Sequence, residues 1–171
     1  GCAQNRHHPF DVFDHSLRVY DALENLLSEI STRFPRLASI AGNAQLSEHA
    51  AMSKYAALLH DVGKPATRQV DSDGRVRFRG HAAESATIAT AISRRLRLSN
   101  RQRHVSDSII RHHIRPLFLY LASENGSLGR TGTVRFFNRC NDLTLPIIVH
   151  AMADIMAKGE AMQKRDSGFL N

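Results

Sequence analysis

The stretch Leu58-Leu59-His60-Asp61-Val62-Gly63-Lys64 combines the residue types best suited to chemistry in this chain. An imidazole and a carboxylate delivered side by side at a helix end suit a divalent metal of intermediate hardness. Gly63 ends that helix and allows a close approach of backbone, and Lys64 offers a mobile positive charge for an anion such as phosphate. A single His-Asp pair is weak evidence, because a buried His beside a capping Asp is common. It gains force from ligand-type residues elsewhere at helix ends or on apolar helices: His15, His81, His113 and Asp154. Asp154 is flanked by Ala151, Met152, Ala153, Ile155 and Met156. A carboxylate in such a helix costs several kcal/mol unless it is paired or metal-bound.

These residues need helices to carry them. Asp11 or Asp14 caps a helix that starts near Phe13 and runs to about Ile30, with Phe13, Leu17, Tyr20, Leu23, Leu27 and Ile30 as its apolar stripe and His15 in its first turn. Residues 31–46, with Pro35, Gly42 and Asn43, read as a connection holding one helical turn. Ser47 then starts the helix that ends at His60. Gln69-Val70-Asp71 and Arg75-Val76-Arg77-Phe78-Arg79 alternate about Asp73-Gly74, which fits a small hairpin near residues 68–80, with an irregular loop as the alternative. A helix follows from His81 to about Arg97, with Ser85, Ile88, Ile92 and Leu96 on its apolar side. Ser99 with Gln102 is a capping-box signature for the next, which buries Val105 and Ile109 and reaches His112-His113 before Pro116 stops it. Leu117–Leu121 is a short apolar segment, and residues 122–133 read as a mobile loop. Two further helices span Val134–Cys140 and about Leu143–Lys158, the latter with Leu145, Ile148, Met152 and Ile155 or Met156 buried. The expected architecture is one compact, nearly all-helical domain.

The chain has 171 residues, enough for a sizeable core, and its apolar runs are too short to cross a bilayer. Nothing at its start resembles a signal peptide, and it opens Gly1-Cys2-Ala3 without an initiator Met, as a processed or excised piece would. Cys2 and Cys140 are too few for a disulfide framework, which points to a reducing, cytoplasmic setting. The net charge of +7 suits a polyanionic partner as well as simple solubility. Arg94, Arg95, Arg97, Arg101 and Arg103 gather around one turn, a candidate surface for RNA backbone. Ten His residues are many for this length and call for a reason.

The order His15, His60-Asp61, Asp154 in an all-helical chain resembles the HD superfamily of metal-dependent phosphohydrolases. The blocks His7-His8-Pro9-Phe10-Asp11-Val12-Phe13-Asp14-His15-Ser16-Leu17, Ala56 to Arg68, Phe78-Arg79-Gly80-His81 and Ile110 to Pro116 are similar to a narrower group. It is the HD domain of bacterial tRNA nucleotidyltransferase and poly(A) polymerase family proteins, and the likeness covers roughly residues 4–160. The resemblance implies an all-α HD-domain bundle, with residues 1–171 as a single domain from a longer protein. The paired-Asp nucleotidyltransferase head is missing, so nucleotide transfer is not expected. It also implies that His15, His60, Asp61 and Asp154 hold a first metal. His81 and His113 would support a second ion bridged by Asp61, or act as catalytic groups. His113 is chosen over His112 because the family's His stands three residues before its Pro, here Pro116. Where the family has an acidic residue after its Gly-His, this chain has Ala82, and Glu84 lies on another face. His150, one turn before Asp154, falls outside the pattern and reads as a packing or outer-layer residue.

The expected activity is divalent-metal-dependent hydrolysis of a phosphomonoester or a 2′,3′-cyclic phosphodiester, on nucleotides or RNA ends. Mn, Mg, Fe, Co and Ni all suit such ligands, with one ion favoured and a second allowed. The ion would activate water and polarise a phosphoryl oxygen, Lys64 and Arg68 would neutralise charge on the phosphate, and His81 or His113 could protonate the leaving group. The alternative is a tRNA-binding accessory module with a weak or structural metal and no turnover; a signalling nucleotide hydrolase is a lesser reading. Because metal–ligand bonds are only about 2 Å long, a shared ion requires Asp154 and His60 side chains within about 8 Å of each other.

Overall fold

Asp11 opens the first helix by accepting a hydrogen bond from the Asp14 amide on its side chain, at 2.9 Å. In the computed structural model, which describes residues 10–158 and 167–170, this helix α1 spans Val12–Arg33. Its buried face is Val12, His15, Ser16, Val19, Leu23, Leu26 and Ile30. The stripe expected through Phe13, Leu17 and Leu27 is therefore turned by about one position; Phe13 is 66% exposed. Ranking residues by apolarity favours Phe and Leu, whereas the fold buries the face that carries His15. Gly1, Cys2, His7, His8 and Pro9 lie outside the described residues.

Phe34 alone separates α1 from α2, Pro35–Leu59, with Pro35 in the first turn where its missing N–H costs nothing. The expected connection over residues 31–46 is thus helix from Pro35 onward, and Ser47 lies inside it. One Gly costs a helix only about 1 kcal/mol, which packing along α1 offsets. A 3₁₀ turn, Pro65–Thr67, leads to a two-stranded antiparallel hairpin, β1 Gln69–Val70 and β2 Val76–Arg77, with Val70 opposite Val76. Arg75, Arg77 and Arg79 are exposed while Val76 and Phe78 are half-buried, the expected alternation.

Helix α3, His81–Arg95, buries Ala82, Ser85, Ala86, Ala89 and Ser93 rather than the Ile88, Ile92 and Leu96 side. The small residues allow close packing, and Leu96 is left exposed. Helix α4, Asn100–His112, has both hydrogen bonds of the Ser99/Gln102 capping box, with Val105 and Ile109 buried. It closes at His112, and Pro116 falls in the first turn of α5, Arg115–Glu124, so Pro116 starts a helix as well as ending one. Helices extend into both ends of the supposed loop 122–133: α6 spans Arg130–Cys140, leaving five residues between it and α5. Helix α7, Thr144–Met156, is buried on nearly every side, not along one stripe.

Two apolar clusters form around α2 and α7. One joins Val19, Leu23, Leu26 and Ile30 of α1 to Leu46 and Ala57 of α2 and to Leu145, Val149 and Met152 of α7. The other joins Ala56 to Ala86, Ala89, Val105, Ile109, Phe136 and Ile147. Neighbouring Ala56 and Ala57 thus serve different clusters, and α2 delivers its last residue, Leu59, straight to His60 between them. The described residues form an all-α bundle with one small hairpin.

Candidate metal centre

Five helices bring six expected residues together. His15 comes from the first turn of α1, His60 and Asp61 from the end of α2, His81 from the start of α3, His113 from the end of α4, and Asp154 from within α7. His15 Nε2 donates to Asp154 Oδ1 at 2.9 Å and lies 3.7 Å from Asp61 Oδ2. His60 Nε2 is 3.2 Å from Asp61 Oδ2 and 4.0 Å from Asp154 Oδ1, well inside the separation that a shared ion requires. On the other side, His81 Nε2 and His113 Nε2 lie 3.3 and 3.9 Å from Asp61 Oδ1. Asp61 therefore turns one oxygen to His15 and His60 and the other to His81 and His113.

The backbone sets the histidine tautomers. Nδ1 of His60, His81 and His113 lies 2.9, 2.8 and 2.7 Å from the carbonyl oxygens of Ala57, Phe78 and Ile110, each three residues earlier. A carbonyl can only accept, so Nδ1 carries the proton, and in a neutral ring Nε2 presents its lone pair to Asp61. Lone pairs thus face carboxylate oxygens in a buried space, and His60 Nε2 and Asp61 Oδ1 have no hydrogen-bond partner among the described residues. A shared cation resolves such an arrangement. The donors fit a divalent ion, in two groups that share Asp61: His15, His60 and Asp61, and Asp61, His81 and His113.

Electrostatics agree with that fit. Burial is the largest influence on Asp61 and opposes its charge, but His60 and Lys64 more than offset it and hold its carboxyl well below the usual range. Burial likewise opposes the charge of Asp154, and Lys158 and His15 outweigh it, again leaving a strongly depressed pKa. His113 is pushed down to about 3 by burial and by neighbouring His60, and burial also lowers His81. Burial resists charge on His60 too, yet Asp61 and Asp154 raise its pKa. The two carboxylates stay ionised and attract a positive charge to His60, whether a proton or a metal ion.

Other expected residues fall elsewhere. Lys64 is buried with its Nζ 2.6 Å from Asp61 Oδ2, so it is a fixed counter-charge rather than a mobile one. Arg68 is exposed just after the 3₁₀ turn. His112 is half-buried and outside the cluster. Arg94, Arg95, Arg97 and Arg101 are exposed around the α3–α4 turn and do not touch the histidines. Arg101 pairs with Glu48, and Arg103 donates to the Leu98 carbonyl at 2.7 Å and to Asn100, so these two brace the turn itself. Glu84 packs against Gly63 and is in neither ligand group.

Two residues without an assigned chemical role complete the centre. Lys158 lies one turn beyond Asp154 with its Nζ 3.7 Å from Asp154 Oδ2; the i, i+4 spacing on α7 is the signal that could have found it. His150, one turn before Asp154, is fully buried with its ring 5.2 Å from that of His60 and 5.9 Å from that of His113. Neither of its nitrogens has a partner among the described residues, so it is a polar wall of the cluster and not an apolar packing residue.

A helical bundle whose ends gather a His, a His-Asp pair and a distant Asp is the hallmark of one class of domain. The chain belongs to the HD domain family, whose model matches residues 12–154. Over 102 residues it is 40% identical to the CC-adding tRNA nucleotidyltransferase of Thermus thermophilus, which covers 59% of this chain and 21% of that protein. It is 35% identical over 115 residues to the A-adding tRNA nucleotidyltransferase of Deinococcus radiodurans, covering 67% of this chain and 22% of the relative. It is 30% identical over 116 residues to the multifunctional CCA protein of Paracidovorax citrulli, covering 68% and 25%. The matched stretches span about a fifth to a quarter of these relatives' lengths.

Proposed function

We propose that this chain is the metal-dependent phosphohydrolase domain of a longer tRNA nucleotidyltransferase-like or poly(A) polymerase-like protein, with residues 1–171 as one domain. Its substrate class is a phosphomonoester or a 2′,3′-cyclic phosphodiester on a nucleotide or an RNA end, in a cytoplasmic setting. The observation that carries this reading is Asp61, with one oxygen set against Nε2 of His15 and His60 and the other against Nε2 of His81 and His113. His15, His60, Asp61 and Asp154 would hold one divalent ion tightly, with Mn, Mg, Fe, Co and Ni all suited to the donors. His81 and His113 flank a second, weaker position, since Ala82 stands where the resembled family has a carboxylate. When bound, the ion supplies Lewis acidity, lowering the pKa of water and polarising a phosphoryl oxygen.

This chain's own residues supply the rest. Nδ1 anchoring holds the histidine rings in place before substrate arrives. Lys64 neutralises Asp61 in the metal-free protein and is close enough to serve a substrate phosphate once Asp61 is otherwise neutralised, with Arg68 as the outer cation. His81, the more accessible of the two flanking histidines, is the better placed to pass a proton to a leaving oxygen once its Nε2, unprotonated in the metal-free site, has taken that proton from water.

The test is to strip the protein with chelator, reload it with each ion in turn, measure bound metal, and assay p-nitrophenyl phosphate and 2′,3′-cyclic AMP. Metal-dependent turnover that disappears in Asp61→Ala is expected. Bound metal without turnover of either ester would reject the hydrolase in favour of the second reading, a tRNA-binding accessory module. Exposed Arg94, Arg95 and Arg97, together with the named activities of the relatives, support that alternative.

A further inference from the structure

Among the described residues only four Asp, Glu, Lys and Arg side chains are buried: Asp61, Lys64, Asp154 and Lys158. All four stand at the metal centre, as two Asp–Lys pairs. In each pair the lysine follows its aspartate by about one turn, three residues on for Lys64 and four for Lys158. The Lys64 and Lys158 Nζ atoms lie 2.6 Å from Asp61 Oδ2 and 3.7 Å from Asp154 Oδ2. Asp154 thus sets Oδ1 against His15 and His60 and Oδ2 against Lys158. Lysine is almost never buried without a partner, because its ammonium gives up water at a large cost.

These buried charges cancel. Two carboxylates and two ammonium groups leave the centre neutral once its histidines are neutral, as metal ligands must be. A divalent ion held by Asp61 and Asp154 would then leave an excess of two positive charges in a buried space. It would share the carboxylates that balance the lysines, so each ammonium would lose part of its counter-charge. A phosphomonoester, which is a dianion above its second pKa of about 6, restores the balance. A cyclic phosphodiester is a monoanion and leaves one positive charge uncompensated, which burial disfavours. One lysine beside one carboxylate would be an ordinary counter-ion. A lysine on each carboxylate of the same proposed ion position, with no other buried Asp, Glu, Lys or Arg among the described residues, fixes the sign and the size of the charge that the site can take up.

We infer that Lys158 is a substrate-binding residue which, with Lys64, makes the centre selective for a phosphomonoester dianion over a monoanionic cyclic phosphodiester. This rests on the proposed hydrolase and on its single tight ion, and it narrows the substrate from two ester classes to one. The flexible four-carbon stem of Lys158 lets its ammonium turn from Asp154 to a phosphate oxygen.

The full chain and its Lys158→Met and Lys158→Arg variants, loaded with manganese and checked by circular dichroism, test it. Bound metal is measured first, then binding of inorganic phosphate by calorimetry at pH 7.5, then kcat and KM for 2′-AMP and 2′,3′-cyclic AMP. The parent should show a KM for 2′-AMP at least tenfold below that for the cyclic ester. Lys158→Met should keep about one metal per chain and bind phosphate at least tenfold more weakly, the effect of one lost charge-assisted hydrogen bond. Its KM for 2′-AMP should rise by a like factor, with that for the cyclic ester changed less than threefold, and Lys158→Arg should recover most of both losses. Loss of bound metal in Lys158→Met would make Lys158 a prop for Asp154 alone and overturn the assignment. So would unchanged phosphate binding with the metal kept, or two manganese ions per chain in the parent, which leave a larger charge to balance. Should Lys158→Met not fold, Lys158→Gln carries the same expectations, and a parent KM for 2′-AMP no lower than that for the cyclic ester refutes the selectivity without any variant. Manganese-dependent phosphate binding that falls in Lys158→Met, without turnover of either ester, would reject the hydrolase and leave the phosphate site standing; turnover with phosphate binding unaltered in the variant would do the reverse.

Discussion

Gly63→Ala should injure the fold and one half of the metal centre together. A Cβ at this position would lie 2.5 Å from the Ser85 backbone nitrogen and 2.9 Å from the Glu84 carbonyl carbon, where ordinary contact begins at 3.4 Å. Both atoms are backbone in α3, so no side-chain rotation relieves the clash, and the first turn of the helix has to retreat by about 0.9 Å. That movement stretches the hydrogen bond from the Gly63 N–H to Ser85 Oγ, now 2.9 Å, and draws His81 away from Asp61. Overpacking of this kind costs about 1–3 kcal/mol, and a weakened buried hydrogen bond about 1 kcal/mol more. A loss of about 3 kcal/mol, at a urea dependence of about 2 kcal/mol per molar, lowers the unfolding midpoint of the metal-free protein by about 1.5 M. Cobalt titration should show weaker binding by the Asp61, His81 and His113 group, with the His15, His60 and Asp61 group largely kept. Gly132→Ala is the control: nothing lies within 4 Å of its added Cβ, so in α6 it should be neutral or stabilising by up to about 1 kcal/mol. A Gly63→Ala protein within about 0.5 kcal/mol of the parent, with cobalt binding unchanged, would refute the close approach and its coupling to the site.

Asp61→Ala should abolish metal binding and turnover, since Asp61 belongs to both ligand groups, whereas His113→Ala should keep about one metal per chain and lose turnover; two equivalents in the parent falling to one in His113→Ala would overturn the choice of a single tight ion. The metal-free protein should lose stability between pH 7 and pH 5. Buried His113 and His150 have depressed folded-state pKa values, so the unfolded chain binds more protons below about 6.5, and each fully buried ring costs on the order of 1 kcal/mol per pH unit there. His60, raised, acts with the opposite sign and only above its ordinary pKa, while Asp61 and Asp154 contribute only below about pH 4, so neither masks the slope. Urea midpoints that are flat from pH 7 to pH 5 would contradict the neutral, buried state of those rings.

The ligand-type residues, their order and the helices that carry them were legible from local pattern. His60-Asp61 follows an apolar helix end, Ser99 and Gln102 form a capping box, and Asp154 is conspicuous as a carboxylate among apolar neighbours. These are short-range signals: the cost of an uncapped amide or an unpaired buried charge is felt within a turn or two of the chain. Which face of α1 turns inward was not legible, because the bundle buries polar His15 and Ser16 in preference to Phe13 and Leu17, and only the partners contributed by α2 and α7 make that favourable. The continuity of α2 through Gly42 was hidden for a similar reason, since packing along α1 outweighs a local helix penalty. Tertiary structure alone decided that Asp61 turns one oxygen to His15 and His60 and the other to His81 and His113, and that the His150 ring packs beside those of His60 and His113. Charges and lone pairs interact through space over a few ångströms, and residues far apart in sequence come within that range only once the helices have packed.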